Sequence, residues 1–137
     1  NMTKQKMSFE KGKQGLKTSF EDQIREGKEI LILGASMLAY DFMKYYFVWY
    51  DKKRIAKKIP ARIIFPISCR GKIKNLPLAK IKYLNDEHIG ASSFNVYGNT
   101  ASIILWDKNN PLSIVIKDVK IADSFRKNFE LVWKISK

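Results

Sequence analysis

The feature that most constrains the fold is the run Ile30-Leu31-Ile32-Leu33, which has Gly27 shortly before it and Gly34 directly after it. A run so short, wholly apolar and partly β-branched reads as a strand buried on both faces. Layers of structure must then cover both sides of its sheet, and the neighbouring segments carry helical periodicity. Leu16, Phe20 and Ile24 recur every four residues, which predicts a helix over Lys13 to Glu26 closed by Gly27 in a left-handed cap. After Gly34-Ala35-Ser36, the Ser36 hydroxyl can cap a second helix. That helix runs through the aromatic stretch Tyr40 to Tyr50 and places Ile55 and Ile59 on the core, until Pro60 stops it.

Beyond Pro60 the periodicity changes to that of strands. Arg62–Phe65 is one candidate, and a loop from Pro66 to Ala79 follows. Four more candidates are Lys80–Leu84, Ser92–Tyr97, Thr100–Trp106 and Leu112–Lys117. Gly98-Asn99 predicts a tight hairpin and Asp107 to Pro111 a turn, so the second half contains a β-meander. Asp118 caps a last helix with Ala122, Phe125, Phe129, Val132 and Trp133 on one face, and Glu130 is placed to pair with Lys134 on the other. The expectation is one mixed α/β domain over residues 1–137, with about six strands and three or four helices, and with residues 1–12 flexible.

No apolar stretch approaches the about 20 residues needed to span a bilayer, and the N-terminus does not read as a secretory signal. With Cys69 as the single cysteine there is no internal disulfide and no cysteine cluster for a metal, which fits a reducing, cytoplasmic setting. The charge is more suggestive. The 26 Lys and Arg against 13 acidic residues leave +13, a balance suited to anionic partners, although a Lys-rich solvated face looks the same. Lys53 with Lys57 and Arg54 with Lys58 fall four apart at the end of the second helix. The segment Lys52, Lys53, Arg54, Lys57, Lys58 and the loop residues Arg70, Lys72 and Lys74 are therefore the candidates for phosphate contacts.

Catalytic chemistry finds little support. Nucleophilic hydrolases need a base, and the sole histidine, His88, sits in the polar link Asn85 to Gly90. Asp86, Glu87 and His88 are consecutive and diverge, so they do not make a metal set. Neither a GxxxxGK[ST] loop nor a GxGxxG turn occurs. The strand-to-helix turn at Gly34-Ala35-Ser36 is the natural place for a polar or anionic ligand, because such turns leave backbone N–H groups free. No cofactor is implied.

Three local patterns carry a family resemblance over nearly the whole chain. They are Gly15-Leu16-Lys17 through Phe20-Glu21-Asp22 to Gly27-Lys28-Glu29-Ile30-Leu31-Ile32-Leu33-Gly34; then Lys52-Lys53-Arg54-Ile55; then Asn95-Val96-Tyr97-Gly98 with Pro111 to Ile116 and Ile121 to Trp133. Together they resemble the middle domain of archaeal TrmB-type transcriptional regulators, a domain related in fold to phospholipase D. The resemblance implies a phospholipase D-like mixed sheet flanked by helices, a homodimer, and the sensing of a small-molecule effector for an attached winged helix-turn-helix. That DNA-reading element and the sugar-binding extension of such regulators have no counterpart in this sequence. The superfamily's His-x-Lys-x-x-x-x-Asp motif is absent too: counted from His88, its lysine and aspartate positions hold Gly90 and Asn95.

The reading that results is a non-catalytic effector-sensing and dimerisation domain whose pocket is lined by Gly34, Ser36, Arg54, Asn95 and Tyr97. A stand-alone basic nucleic-acid-binding protein is the alternative, and a diverged phosphodiesterase the third.

Overall fold

The computed structural model describes residues 6–137. Its elements in chain order are β1 (Met7–Lys11), α1 (Gly12–Glu26), β2 (Ile30–Leu33), α2 (Leu38–Ala56), β3 (Ala61–Pro66), β4 (Ala79–Leu84), β5 (Ser92–Tyr97), β6 (Thr100–Leu105), β7 (Leu112–Lys117) and α3 (Val119–Ile135). Two single 3-10 turns lie at Ile67–Cys69 and Asp86–His88. The strands form one seven-stranded sheet in the order β1-β7-β6-β5-β2-β3-β4. β2, β3 and β4 run parallel, and β5, β6, β7 and β1 form an antiparallel half joined to them at β2–β5.

The Ile30–Leu33 run lies between β3 and β5, away from both edges, as its two-sided apolarity requires. Ile30 packs in the core between the sheet and helices α1 and α2, while Leu31 packs in the core beneath α3. In the first core Leu16, Phe20 and Ile24 of α1 are all buried. The Phe20 ring meets Phe47 at 5.0 Å and Tyr50 at 5.3 Å, both edge to face, and stacks on Trp106 at 6.1 Å. Side chains of this size each stabilise by about 1.5–3 kcal/mol when fully buried. In the second core Ala122 and Phe129 of α3 close over Leu31, Ile64 and Val96.

Several local expectations hold. Gly27 ends α1 in the left-handed region, with its N–H donating to the Gln23 carbonyl. Asp118 accepts the Lys120 and Ile121 amides as the cap of α3. Tyr97 opposite Thr100 leaves Gly98-Asn99 as a two-residue hairpin loop. Gly15 has a reason that the sequence did not reveal: a Cβ there would lie 2.5 Å from the Glu10 carbonyl carbon, because α1 folds back directly onto β1. Gly15→Ala is expected to lower the unfolding free energy by about 1–2 kcal/mol, read by urea denaturation, as overpacking does.

Three expectations need correction. Residues 7–11 are a strand, not part of a flexible arm, and make the strands seven; residues 1–5 of that arm lie outside the described residues. β1 is ordered because it pairs with β7, from the far end of the chain. Glu130 does not pair with Lys134. It receives both terminal nitrogens of Arg62 on β3 at 2.8 and 2.7 Å, and the Arg62 guanidinium lies 5.3 and 5.4 Å from the Phe129 and Trp133 ring centres. A planar guanidinium satisfies a carboxylate and two aromatic faces at once, which the neighbouring lysine cannot do. Finally, Ile59 is buried but Ile55 is only half-buried.

Candidate functional site

The core between the sheet and α2 contains a cavity of about 60 Å³. Three of the five predicted pocket residues, Ser36, Arg54 and Asn95, line it, together with Ser93, Tyr40, Tyr50 and Asp51 and an apolar wall that includes Phe20 and Trp106. Gly34 and Tyr97 do not line it.

β5 supplies the polar floor. Ser93 and Asn95 alternate along the strand and so share the face turned toward α2. Asn95 is 1% exposed; its Nδ2 donates to Ser102 Oγ at 3.2 Å, whereas its Oδ1 is buried with no partner among the described residues. A buried acceptor left unpaired costs about 1–3 kcal/mol. Ser19 Oγ, Gln23 Nε2 and Ser113 Oγ find no partner among them either, so polar atoms gather on this face of the sheet.

α2 supplies the other wall. Its positions Phe47, Tyr50 and Arg54 repeat at helical spacing and all turn inward, and this corrects the placement of Arg54 among the exposed cations. Arg54 is 3% exposed and donates to three carbonyl oxygens, of Ile59 (2.9 Å), Leu78 (3.3 Å) and Pro77 (2.7 Å). Asp51 lies 3.9 Å from its Nε. Burial raises the Asp51 carboxyl and the Arg54 charge partly offsets this. Burial, reinforced by the Asp51 charge, pushes the Tyr40 phenol up to about 12. Tyr50 is raised by burial too, so both phenols stay protonated hydrogen-bond donors at neutral pH.

Three amides of the turn after β2 are already engaged. The Gly34 and Ala35 N–H groups both donate to the Ile64 carbonyl, and the Leu38 N–H donates to Ser36 Oγ. Ser36 therefore engages the first amide of α2 from one residue ahead of the N-cap, which is Met37 and has no side-chain cap, and the Gly34 and Ala35 amides are spent within the fold. Tyr97, buried toward α1, donates to Asp22 Oδ2 at 2.9 Å. Lys117 and Arg25 reach the same carboxylate at 2.8 and 2.9 Å. Burial pushes Asp22 up, yet these hydrogen bonds outweigh it and hold the carboxyl below its ordinary value.

The other candidates are outside the cavity. His88 sits in the Asp86–His88 turn, 61% exposed, 3.8 Å from Glu87 Oε1. Lys52, Lys53, Lys57, Lys58, Arg70, Lys72 and Lys74 are exposed; Lys57 donates to the Ile24 carbonyl, and Arg70 lies 4.9 Å over the Tyr83 ring. No group of three or more His, Cys, Asp or Glu placed to hold a metal occurs among the described residues. No helix among them is long and apolar enough to cross a membrane. Sequence reasoning missed Ser93, Tyr40 and Asp51. Ser93 was within reach, since it stands two residues from Asn95 on one strand.

The fold is similar to that of known structures. NucT from Helicobacter pylori superposes with a TM-score of 0.69 at 10% identity, over 96% of this chain and 97% of that one. Nuc from Salmonella typhimurium, a phospholipase D family member, gives 0.67 at 15%, over 96% and 95%. The chain has a phospholipase D-like fold. TrmBL2, an archaeal chromatin protein with a novel mode of DNA binding, gives a TM-score of 0.67 at 12% identity. That match covers 98% of this chain but only 55% of TrmBL2, so the phospholipase D-like chain spans about half the length of that protein. No protein-family model and no curated protein sequence matches the chain.

Proposed function

We propose that this phospholipase D-like chain is the non-catalytic, dimeric regulatory domain of a TrmB-like, DNA-binding regulator, and that the Ser36–Asn95 cavity takes a small polar effector. The buried, unpaired Asn95 Oδ1 carries the reading, because an orphaned acceptor beside a cavity is a recognition group without its donor. The volume sets the size of the effector. At about 60 Å³ the cavity is far below the roughly 300–1,000 Å³ of pockets for drug-sized ligands, so a molecule of a few heavy atoms suits it and an intact sugar does not. The likeness to TrmBL2 over 98% of this chain supports the regulator half of the proposal, and His88, in an exposed turn away from the cavity, supports the non-catalytic half.

Small amides, alcohols and amines, screened by thermal denaturation, should include one that raises Tm. A ligand at about a hundred times its Kd stabilises by about 2.7 kcal/mol. Replacing Asn95 with Leu and Ser102 with Ala together removes both hydrogen-bond partners and the orphan acceptor. This double variant is expected to be at least as stable as the wild type and to lose the ligand-induced rise in Tm. A rise that persists in the variant sinks the assignment of the cavity. Turnover of a model phosphodiester that disappears in His88→Ala would restore an enzymatic reading, and a strict monomer in sedimentation would remove the dimer.

A second reading, direct phosphate contact by the basic surface, is favoured by the Arg54 side chain. It ties the end of α2, with Lys52, Lys53, Lys57 and Lys58, to Pro77-Leu78, which close the loop that carries Arg70, Lys72 and Lys74. Binding of duplex DNA that weakens steeply with salt, whatever its sequence, is the result expected of it.

A further inference from the structure

Opposite the buried positions Phe47, Tyr50 and Arg54, α2 turns an unusual surface to solvent. Tyr45 is 85% exposed, Val48 53% and Trp49 40%. Large apolar side chains at such exposure, grouped along one face, mark a surface that meets a partner. Interleaved with them are the exposed cations Lys44, Lys52 and Lys53, and Lys53 Nζ lies 5.9 Å from the Trp49 ring centre. The Trp49 ring is itself 5.4 Å from Tyr46, over which Lys17 of α1 is placed at 5.6 Å. The acids nearby are Asp41, exposed one turn before Tyr45, and Glu21, which accepts the Tyr46 hydroxyl.

Charge selects the occupant. A second copy docked about a two-fold axis would set this patch against itself, bringing lysines toward lysines around the aromatic rings. A polyanion neutralises those lysines instead. Aromatic rings carried on a cationic helix suit unpaired bases, because every base offers a face for stacking, whereas in a duplex those faces are already stacked.

We propose that the outer face of α2 binds a single-stranded polynucleotide, with bases stacking on Tyr45 and Trp49 and phosphates held by Lys44, Lys52 and Lys53. This surface is separate from the cavity, and the proposal stands whether or not the cavity takes an effector. It shares Lys52 and Lys53 with phosphate contact by the basic surface, but differs from that mode in its dependence on Tyr45 and Trp49, since phosphate contact needs no aromatic group.

The test is fluorescence anisotropy of a labelled oligothymidylate of about 12 nucleotides, titrated with the whole chain at low salt. Tyr45→Ala is expected to weaken binding at least about 5-fold, and Tyr45→Ala with Trp49→Ala several tens of fold, as loss of one and two stacking platforms implies. Lys52→Gln and Lys53→Gln should each flatten the salt dependence by about 0.7 in log–log slope. Tyr45 touches too little of the core for its truncation to unfold the chain, and an unchanged Tm confirms that in the same samples. The proposal is overturned if the wild type does not bind the oligonucleotide, if Tyr45→Ala binds as the wild type does, or if a duplex binds equally well with the same indifference to Tyr45. Loss of binding in Lys72→Gln/Lys74→Gln but not at Tyr45 assigns the strand to the loop and also overturns it. So does a dimer that becomes monomeric on Tyr45→Ala, which makes a second copy the occupant.

Discussion

Arg54→Ala is expected to lower the unfolding free energy by about 3–4 kcal/mol, because it leaves one buried and two part-buried acceptors and a partly buried carboxylate without their cation. The guanidinium is almost fully enclosed and supplies donors to three carbonyl oxygens, two of them on the segment that leads into β4. Its removal strips those acceptors of their partners and takes the counter-charge from the Asp51 carboxylate. Arg54→Lys should recover only part of the loss, because an ammonium on a flexible stem cannot span the Ile59 and Pro77 carbonyls as a planar fork does. Adding Asp51→Asn to Arg54→Ala should return some stability by removing the stranded charge. Urea denaturation of the four proteins is the measurement. An Arg54→Ala variant within about 1 kcal/mol of wild type would show that the three carbonyls find other donors, and the proposed tether between the two basic segments would fall with it.

The second largest effect is expected at Asp22. Asp22→Asn should destabilise by about 2–3 kcal/mol at neutral pH, the range for losing hydrogen bonds to a charged acceptor. Most of this loss comes from the buried Tyr97 hydroxyl, whose bond to a charged carboxylate becomes at best a bond to a neutral amide oxygen; Lys117 and Arg25, 49% and 70% exposed, contribute less. The effect depends on pH in a definite direction. The folded carboxyl lies below the ordinary value of 3.8, so its ionised form stabilises the fold fully at pH above that value. As pH falls through the folded value, the carboxyl takes up its proton and that contribution is lost. The gap between wild type and Asp22→Asn should therefore be constant near neutrality and narrow below about pH 4. A gap that widens on acidification would mean that the folded carboxyl is raised, not lowered.

What could be read from the sequence, and what could not, follows from the range of each interaction. Gly27, Gly98-Asn99 and Asp118 act on residues within a turn, so their roles were legible from neighbours alone. The Ile30–Leu33 strand was legible because a short run apolar on both faces escapes water only when covered on both sides. β1 was not, since Met7 to Lys11 gains its structure only from β7. Arg54 reads both as one of a run of cations and as a pocket residue, and its spacing from Phe47 and Tyr50 decides for the buried face. Of the pocket candidates, Ser36, Arg54 and Asn95 meet at one cavity, while Tyr97, on the same strand face as Asn95, is directed instead to a carboxylate on α1. That partner belongs to another element, and no local pattern announces it.

The pairing of β1 with β7 also orders events in time. Met7 lies opposite Ile116, so the sheet closes on its first strand only after nearly the whole chain is available. Long-range pairings of this kind form late and slowly, because the loop must close before any contact rewards it. Until then β7 presents an open edge, while β1 waits undocked with Met7 and Phe9, which stay about half exposed even in the finished fold. Docking does not abolish the open edge but hands it from β7 to β1, the terminal strand of the finished sheet, which is only five residues long and carries Glu10 and Lys11, charges that discourage pairing with another copy.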